Sequence, residues 1–195
     1  MVADDFKAAA QRAATAMRVA EDELNTADGR LGDGDTGQTM RRVAEAVAAA
    51  ADAATGTDIG ALLRQFGMAG MTATGSSLGT LVSVGLVELG KSFKGRESVA
   101  PADVASALAA AESAMLSRGN AQLGDKTAID VLHAVRTELE AGGDGVAAAA
   151  RVTLAAFRDK PCRIGRARMY ADKSVGIDDP GMLAFVKLTE AIAGT

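Results

Sequence analysis

The sequence predicts an all-α protein: a single domain over residues 1–195 with eight antiparallel helices. Three observations carry that. Hydrophobic residues make up 48% of the 195 positions, and they are mostly Ala, Leu, Val and Met in long runs interrupted by polar residues. Aromatics are only 3%, with no Trp, and no stretch alternates Val, Ile, Thr and aromatics as a half-buried strand would. Eight segments show helical periodicity or helix punctuation, and no long linker or repeat divides them.

The first segment, 4–24, reads DDFKAAAQRAATAMRVAEDEL and places Phe6, Ala10, Ala13, Met17, Ala20 and Leu24 on one face. Segments 36–54, 58–68 and 75–92 follow. Pro101 suits the first turn of a helix over 101–117. Gly142 and Gly143 separate segment 126–140 from 143–158. Asp179 and Pro180 supply an N-cap and an N1 proline for the last helix, 180–192.

Short connections favour antiparallel neighbours. The links after the first, third, fifth and seventh helices then share one rim: 25–35, 69–75, 118–125 and 159–179. They read NTADGRLGDGD, AGMTATG, RGNAQLGD and DKPCRIGRARMYADKSVGIDD. The links at the other end, TGT, SFKGRESVA and AGGD, are plain turns. Every chemically unusual segment therefore falls on one rim, which is the expected active or binding rim.

Composition narrows the function. The net charge is −4 and no basic stripe appears, so nucleic acid is not an expected partner. Apolar stretches are broken by Gly, Ser or charge, and MVADDFKAAA lacks a signal-peptide core, so no membrane is expected and the cytoplasm is the simplest compartment. Cys162 and His133 are single, which removes intrachain disulfides and most zinc and Ser-His-Asp chemistry.

On the rim, Asp28, Asp33 and Asp35 lie within eight residues, separated by glycines that allow tight wrapping. Crowded carboxylates call for a cation, and an oxygen-only set suits Mg²⁺ or Ca²⁺. The spacing is not that of an EF-hand. The competing reading is a solvated acidic turn that caps the second helix. In AGMTATGSSLGTL, Thr72, Thr74, Ser76 and Ser77 precede a helix start, which suits either an anion site or close helix packing. GNAQLGDKT resembles a P-loop, but Asp125 stands where Lys should directly follow Gly124, and no strand precedes it, so a Walker A site is rejected. Asp125, Lys126 and Thr127 remain as a phosphate contact, a loop contact or a simple helix cap. The 159–181 connection is long enough to be functional and carries Arg163, Arg166, Arg168 and Lys173. Its bland reading is a solvated basic loop. His133 reads as a satisfied helix residue away from the rim. Met40, Met68 and Met71 flank the rim and could meet a flat base.

Taken in order, LNTADGRLGDGDTG, TATGSSLG, RGNAQLGDKT and GRARMYADKSVGIDDPG resemble the DhaL (Dak2) family, the nucleotide-binding subunit of dihydroxyacetone kinase. The pieces span almost the whole chain, and the ordered set is far more specific than any one piece. The resemblance implies an up-and-down barrel of eight helices with its active-site loops on one rim. It implies two Mg²⁺ ions on Asp28, Asp33 and Asp35 that bind the phosphates of ADP or ATP. Thr36, Gly37, Gln38, Thr39, Ala73 and Thr74 would contact the nucleotide, with Gly119 and Ala128 near the base. Arg166, as the catalytic side chain, and the Asp179-Pro180-Gly181 turn would close the pocket. The resemblance also implies a partner, a DhaK-like subunit that holds a hydroxyketone on its own histidine. The phosphoryl donor is either free ATP or a phosphotransferase-system protein that recharges bound ADP. The sequence departs from the family pattern at Thr36, where a His is usual, at Thr74, in a serine position, and at Ile177, where the closing loop often has His. These changes spare the metal ligands and bear on nucleotide exchange and on the sugar, for which a tetrulose or a phosphorylated ketose becomes a candidate. Two other classes stay open: a regulatory Mg-nucleotide-binding module, and a domain resembling fatty-acid kinases.

Overall fold

A computed structural model describes residues 1–194, and the side chains of all of these except Arg166, Ala167 and Tyr170. Eight α-helices account for most of it: α1 (Ala3–Asp28), α2 (Thr36–Ala53), α3 (Ile59–Ala73), α4 (Ser77–Ser92), α5 (Pro101–Gly119), α6 (Ala128–Glu140), α7 (Val146–Phe157) and α8 (Pro180–Ala193). A 3₁₀ helix, Arg166–Ser174, lies in the link before α8. Among the described residues the only β pairing outside strands is a single bridge, Val2 with Ser98.

Each helix packs on the next, and α8 returns to α1, so the eight close into an up-and-down barrel. Arg12 of α1 reinforces the closure by donating to the carbonyls of Ala191 and Ile192, both at 2.9 Å. The core is graded along the barrel axis. Phe66, Phe93, Ile59 and Leu62 fill the end away from the rim, with Phe6 tilted against Phe93 at 6.4 Å between ring centres. Met17, Leu24 and Met40 pack further up against Ala44, Ala48 and Ala184. Each of those three is almost fully buried, a contribution of about 1.5–3 kcal/mol apiece. Val131, Leu154, Met182 and Val186 fill the space between α6, α7 and α8, and the many buried alanines elsewhere let the helices approach closely. The α3–α4 pair is the extreme case. A Cβ on Gly60 would stand 2.6 Å from the Gly90 carbonyl oxygen and from the Lys94 Cα, so the two backbones touch.

Helix ends follow the sequence signals where caps are local. Asp58 caps α3, its Oδ1 accepting from the amides of Ala61 and Gly95 at 3.1 Å, and these bonds hold its carboxyl below the usual range. Ala100 and Pro101 open α5 as expected, and Asp103 Oδ2 accepts from the Ala100 amide at 2.8 Å. Gly142, at φ +75°, ends the α6 segment.

Two boundaries differ from the sequence reading by more than three residues. Helix α1 runs to Asp28 rather than to 24, because Asn25 and Asp28 bond to α2 and those tertiary contacts outweigh weak helix propensity. Helix α3 runs to Ala73 rather than to 68. Gly67 and Gly70 lie inside the helix, where both pack closely on Ser83 of α4. The 69–75 link thus shrinks to residues 74–76. His133 is satisfied, as expected: its Nδ1 lies 3.1 Å from Glu112 Oε1, and Arg136 donates to the same carboxylate at 2.9 Å. No helix among the described residues is long and apolar enough to cross a membrane.

Candidate functional site

One rim of the barrel holds a cavity of about 500 Å³. Its walls come from the end of α1 and the start of α2, from the α3–α4 link, from the start of α6, and from the segment that leads into α8. The rim predicted from the order of the helices is thus assembled.

Asp28, Asp33 and Asp35 form its acidic corner. One oxygen from each lies within 4.8 Å of the others. Asp28 is buried at the last residue of α1, whereas Asp33 and Asp35 are exposed. Asp28 Oδ2 accepts from the amides of Asp35 at 2.9 Å and Thr36 at 3.2 Å, which bends the loop back on the helix. The loop passes so close to Asp28 at Gly32 that a Cβ there would displace the Asp28 carboxylate. The donor set is oxygen only, which fits a hard divalent cation.

The start of α2 is held from α1. Asn25 Oδ1 accepts from the amides of Gly37 at 2.8 Å and Gln38 at 3.2 Å. These amides, with that of Thr36, are therefore committed inside the protein. Thr36, Gln38 and Thr39 line the cavity, whereas Gly37 is buried and does not. At the second wall, Ala73, Thr74, Ser76 and Ser77 line the cavity, Ser76 caps α4, and Thr74 Oγ1 accepts from the Ser76 amide at 3.0 Å. This presents a helix N-terminus, the electropositive end.

At the third wall, Thr127 is the N-cap of α6, bonded reciprocally with Asp130, and Ala128 lines the cavity. Gly119 does not. It ends α5, and a Cβ on it would meet Leu81, which does line the cavity. Asp179, Pro180 and Gly181 form the fourth wall. Asp179 Oδ1 accepts from the Met182 amide at 2.8 Å. Burial pushes the Asp179 carboxyl up to about 6, against the opposing pull of that amide and of the Lys126 ammonium.

The link before α8 is tied at its base. Arg158 and Asp178 form a two-point ion pair, Nε to Oδ1 and a terminal nitrogen to Oδ2, both 2.8 Å. The Gly176 amide donates to the Arg158 carbonyl at 2.9 Å. Ile164 and Gly165 reach the cavity. Arg163, Arg168 and Lys173 are exposed, and the Arg166 side chain lies outside the described residues.

Met40 is core rather than rim, and the exposed Met68 and Met71 do not line the cavity, so the base-contact reading falls away. Sequence reasoning gave no role to Asn25 or Arg42. Arg42 lines the cavity seven residues after Asp35 and three after Thr39, a spacing that marks one helix face. It also left Lys126 undecided.

Known proteins now bear on this geometry. Residues 30–194 match the DAK2 domain. The chain belongs to the DAK2 family. It is 35% identical over 182 residues to L-erythrulose 1-kinase of Mycolicibacterium smegmatis, covering 88% of this chain and 32% of that one. It is 32% identical over 209 residues to D-erythrulose kinase of the same organism, covering 99% of this chain and 35% of the relative. The chain thus spans about a third of the length of these two kinases. With the PEP-dependent dihydroxyacetone kinase ADP-binding subunit DhaL of Escherichia coli it shares 26% identity over 184 residues, 87% of this chain and 86% of that subunit. The crystal structure of the dihydroxyacetone kinase of C. freundii superposes with a TM-score of 0.79 at 23% identity, over 96% of this chain and 34% of that one. The barrel is accordingly a DAK2 barrel, with its unusual loops on one rim.

Proposed function

We propose that this chain is the Mg-nucleotide-binding component of a ketose kinase, with residues 1–195 forming one nucleotide-binding domain. The observation that carries the reading is the convergence of the Asp28, Asp33 and Asp35 oxygens at one corner of the rim cavity. Those carboxylates would hold two Mg²⁺ ions, which neutralise and orient the phosphates of ADP or ATP. Asp28, fixed by two amides, sets where the pair of exposed carboxylates can meet an ion. Thr36, Gln38, Thr39, Ala73, Thr74 and Ala128 shape the nucleotide bed, Gly37 and Gly119 support it from behind, and Arg166 with Asp179, Pro180 and Gly181 closes it. The start of α4 adds a positive dipole end for phosphate.

The acceptor hydroxyl belongs to a hydroxyketone presented by a DhaK-like partner subunit or domain. The single histidine of the chain is engaged with Glu112, and no histidine lines the described cavity. The relatives divide by acceptor in their names. Identity is higher to the two erythrulose kinases than to the dihydroxyacetone kinase subunit, which favours a four-carbon ketose. Thr36 and Ile177, where the family usually carries histidines, favour free ATP as donor over a phosphotransferase protein.

Calorimetric titration with ADP and ATP, with and without Mg²⁺, tests the reading. Mg²⁺-dependent binding of both supports it, and ADP that ATP cannot displace moves the donor to a phosphotransferase protein. No Mg²⁺-dependent binding of either nucleotide sinks it. Transfer to erythrulose and to dihydroxyacetone, assayed with a ketose-binding partner, then identifies the acceptor. Tight binding without transfer to any ketose favours a regulatory module.

A further inference from the structure

The α5–α6 turn spends an unusual side chain on the segment before α8. Lys126 is 1% exposed, although it belongs to a surface turn. Its backbone is left-handed, φ +65°, a conformation that non-glycine residues seldom adopt. In that conformation its ammonium donates to three backbone carbonyls: Arg158 at 2.9 Å, Lys160 at 2.8 Å and Ser174 at 2.8 Å. The three acceptors fall at two places in the sequence. Two lie where the segment leaves α7, and the third lies where the 3₁₀ helix ends. One ammonium therefore uses its full set of three donors to tie both ends of a single loop.

Other bonds agree with a base gathered at this point. The Cys162 amide donates to Ser174 Oγ at 2.8 Å, and the Arg163 amide donates to the Asp125 carbonyl at 3.1 Å. Arg158 and Asp178 close the outside. Between the tied ends lie Ile164 and Gly165, which form one wall of the cavity. The segment thus borders the cavity with both ends fastened by a charge that a different loop supplies.

We infer that Lys126 is a positioning residue: it staples the 158–178 lid shut over the nucleotide cavity and sets how long the nucleotide stays bound. A P-loop lysine reaches phosphate; this one is consumed by carbonyls and acts through the lid. The inference rests on the proposed nucleotide site for its functional half only. The staple itself is a property of the free protein.

The test compares Lys126→Met with the parent chain. Amide hydrogen exchange of the nucleotide-free proteins reads the staple. Faster exchange confined to 158–178, with Gly176 and Cys162 prominent and α1–α4 unchanged, is the expected result. Release of Mg-ADP, followed after a chase with excess ATP, reads the consequence. Release about tenfold faster, with a much smaller change in association rate, is expected for a loosened lid. Unchanged lid exchange overturns the staple, and a freed lid with unchanged release overturns its role in retention. A parent chain that binds no Mg-ADP refutes the nucleotide reading and leaves the exchange result to decide the staple. Should Lys126→Met fail to fold, Lys126→Gln, which keeps two N–H donors, gives the same pattern at smaller amplitude. Exchange in that variant that is uniform over the barrel, rather than confined to the lid, also overturns the inference.

Discussion

At the scale of single residues, the three aspartates are unequal. Asp33 and Asp35 are exposed, whereas Asp28 is buried and supports the loop through the Asp35 and Thr36 amides. Removing Asp28 therefore strips the start of α2 of a cap as well as the site of a ligand. We expect Asp33→Ala to abolish Mg²⁺-dependent nucleotide binding with stability within about 0.5 kcal/mol of the parent. Asp28→Ala should abolish it and cost about 1–2 kcal/mol besides. Calorimetry and urea unfolding of both variants check this, and an Asp33 variant with unchanged affinity removes that residue from the metal site. Asp179 makes a separate, pH-dependent prediction. Its carboxyl rises from 3.8 to about 6 on folding, so the folded chain favours the protonated form. The stabilisation is present below the unfolded value and is lost as the pH rises through about 6. Urea midpoints across pH 4–7 should fall less steeply for Asp179→Asn than for the parent, by about 1–2 kcal/mol after allowance for partial exposure. Parallel curves would deny the shift. The clustering of the three carboxylates was legible from spacing alone, because the glycines between them let the chain turn back on itself. Asn25 was illegible, because its value depends on where α2 starts in space.

At the scale of elements, the decisive contact is the α3–α4 crossing. A Cβ at Gly60 would strike backbone atoms, the Gly90 oxygen and the Lys94 Cα, which cannot rotate away. Gly60→Ala should cost about 2 kcal/mol or more, by analogy with overpacking in a tight core. Gly56 is the control: a Cβ there meets nothing within 4 Å, so Gly56→Ala should stay within about 0.5 kcal/mol of the parent. Equal unfolding midpoints for the two variants would contradict the packing. The same crossing explains why helix ends were less legible than helix existence. No local signal places Gly70 inside α3; its close contact with Ser83 across the crossing does. Conversely, the N-caps at Asp179 and Ala100–Pro101 were readable because their bonds close within three residues. The 3₁₀ helix before α8 was not legible at all: the segment that contains it is held by Lys126, Ser174 and Arg158 across distances that sequence periodicity does not register.

At the scale of the whole molecule, order in the chain maps onto position around the ring. Four hairpins each send their chemically unusual end to the same rim, while the other ends form plain turns over a core of large side chains. The rim was legible from counting helices, since alternation of direction needs only the parity of each link. The closure of α8 onto α1 was not, because no local signal encodes it; it entered through family resemblance and stands here on packing and on Arg12. That closure means the barrel has no privileged first helix. The polypeptide could be cut at Gly142–Gly143, on the plain side, and its ends beside α1 and α8 joined by a flexible linker. Every pair of neighbouring helices and every piece of the cavity would survive the rearrangement. Such a circular permutant should fold and keep its Mg²⁺-dependent nucleotide affinity within a few-fold, as calorimetry would read. A permutant opened instead within residues 29–35 should fold less well and bind nothing, since it severs the acidic corner itself.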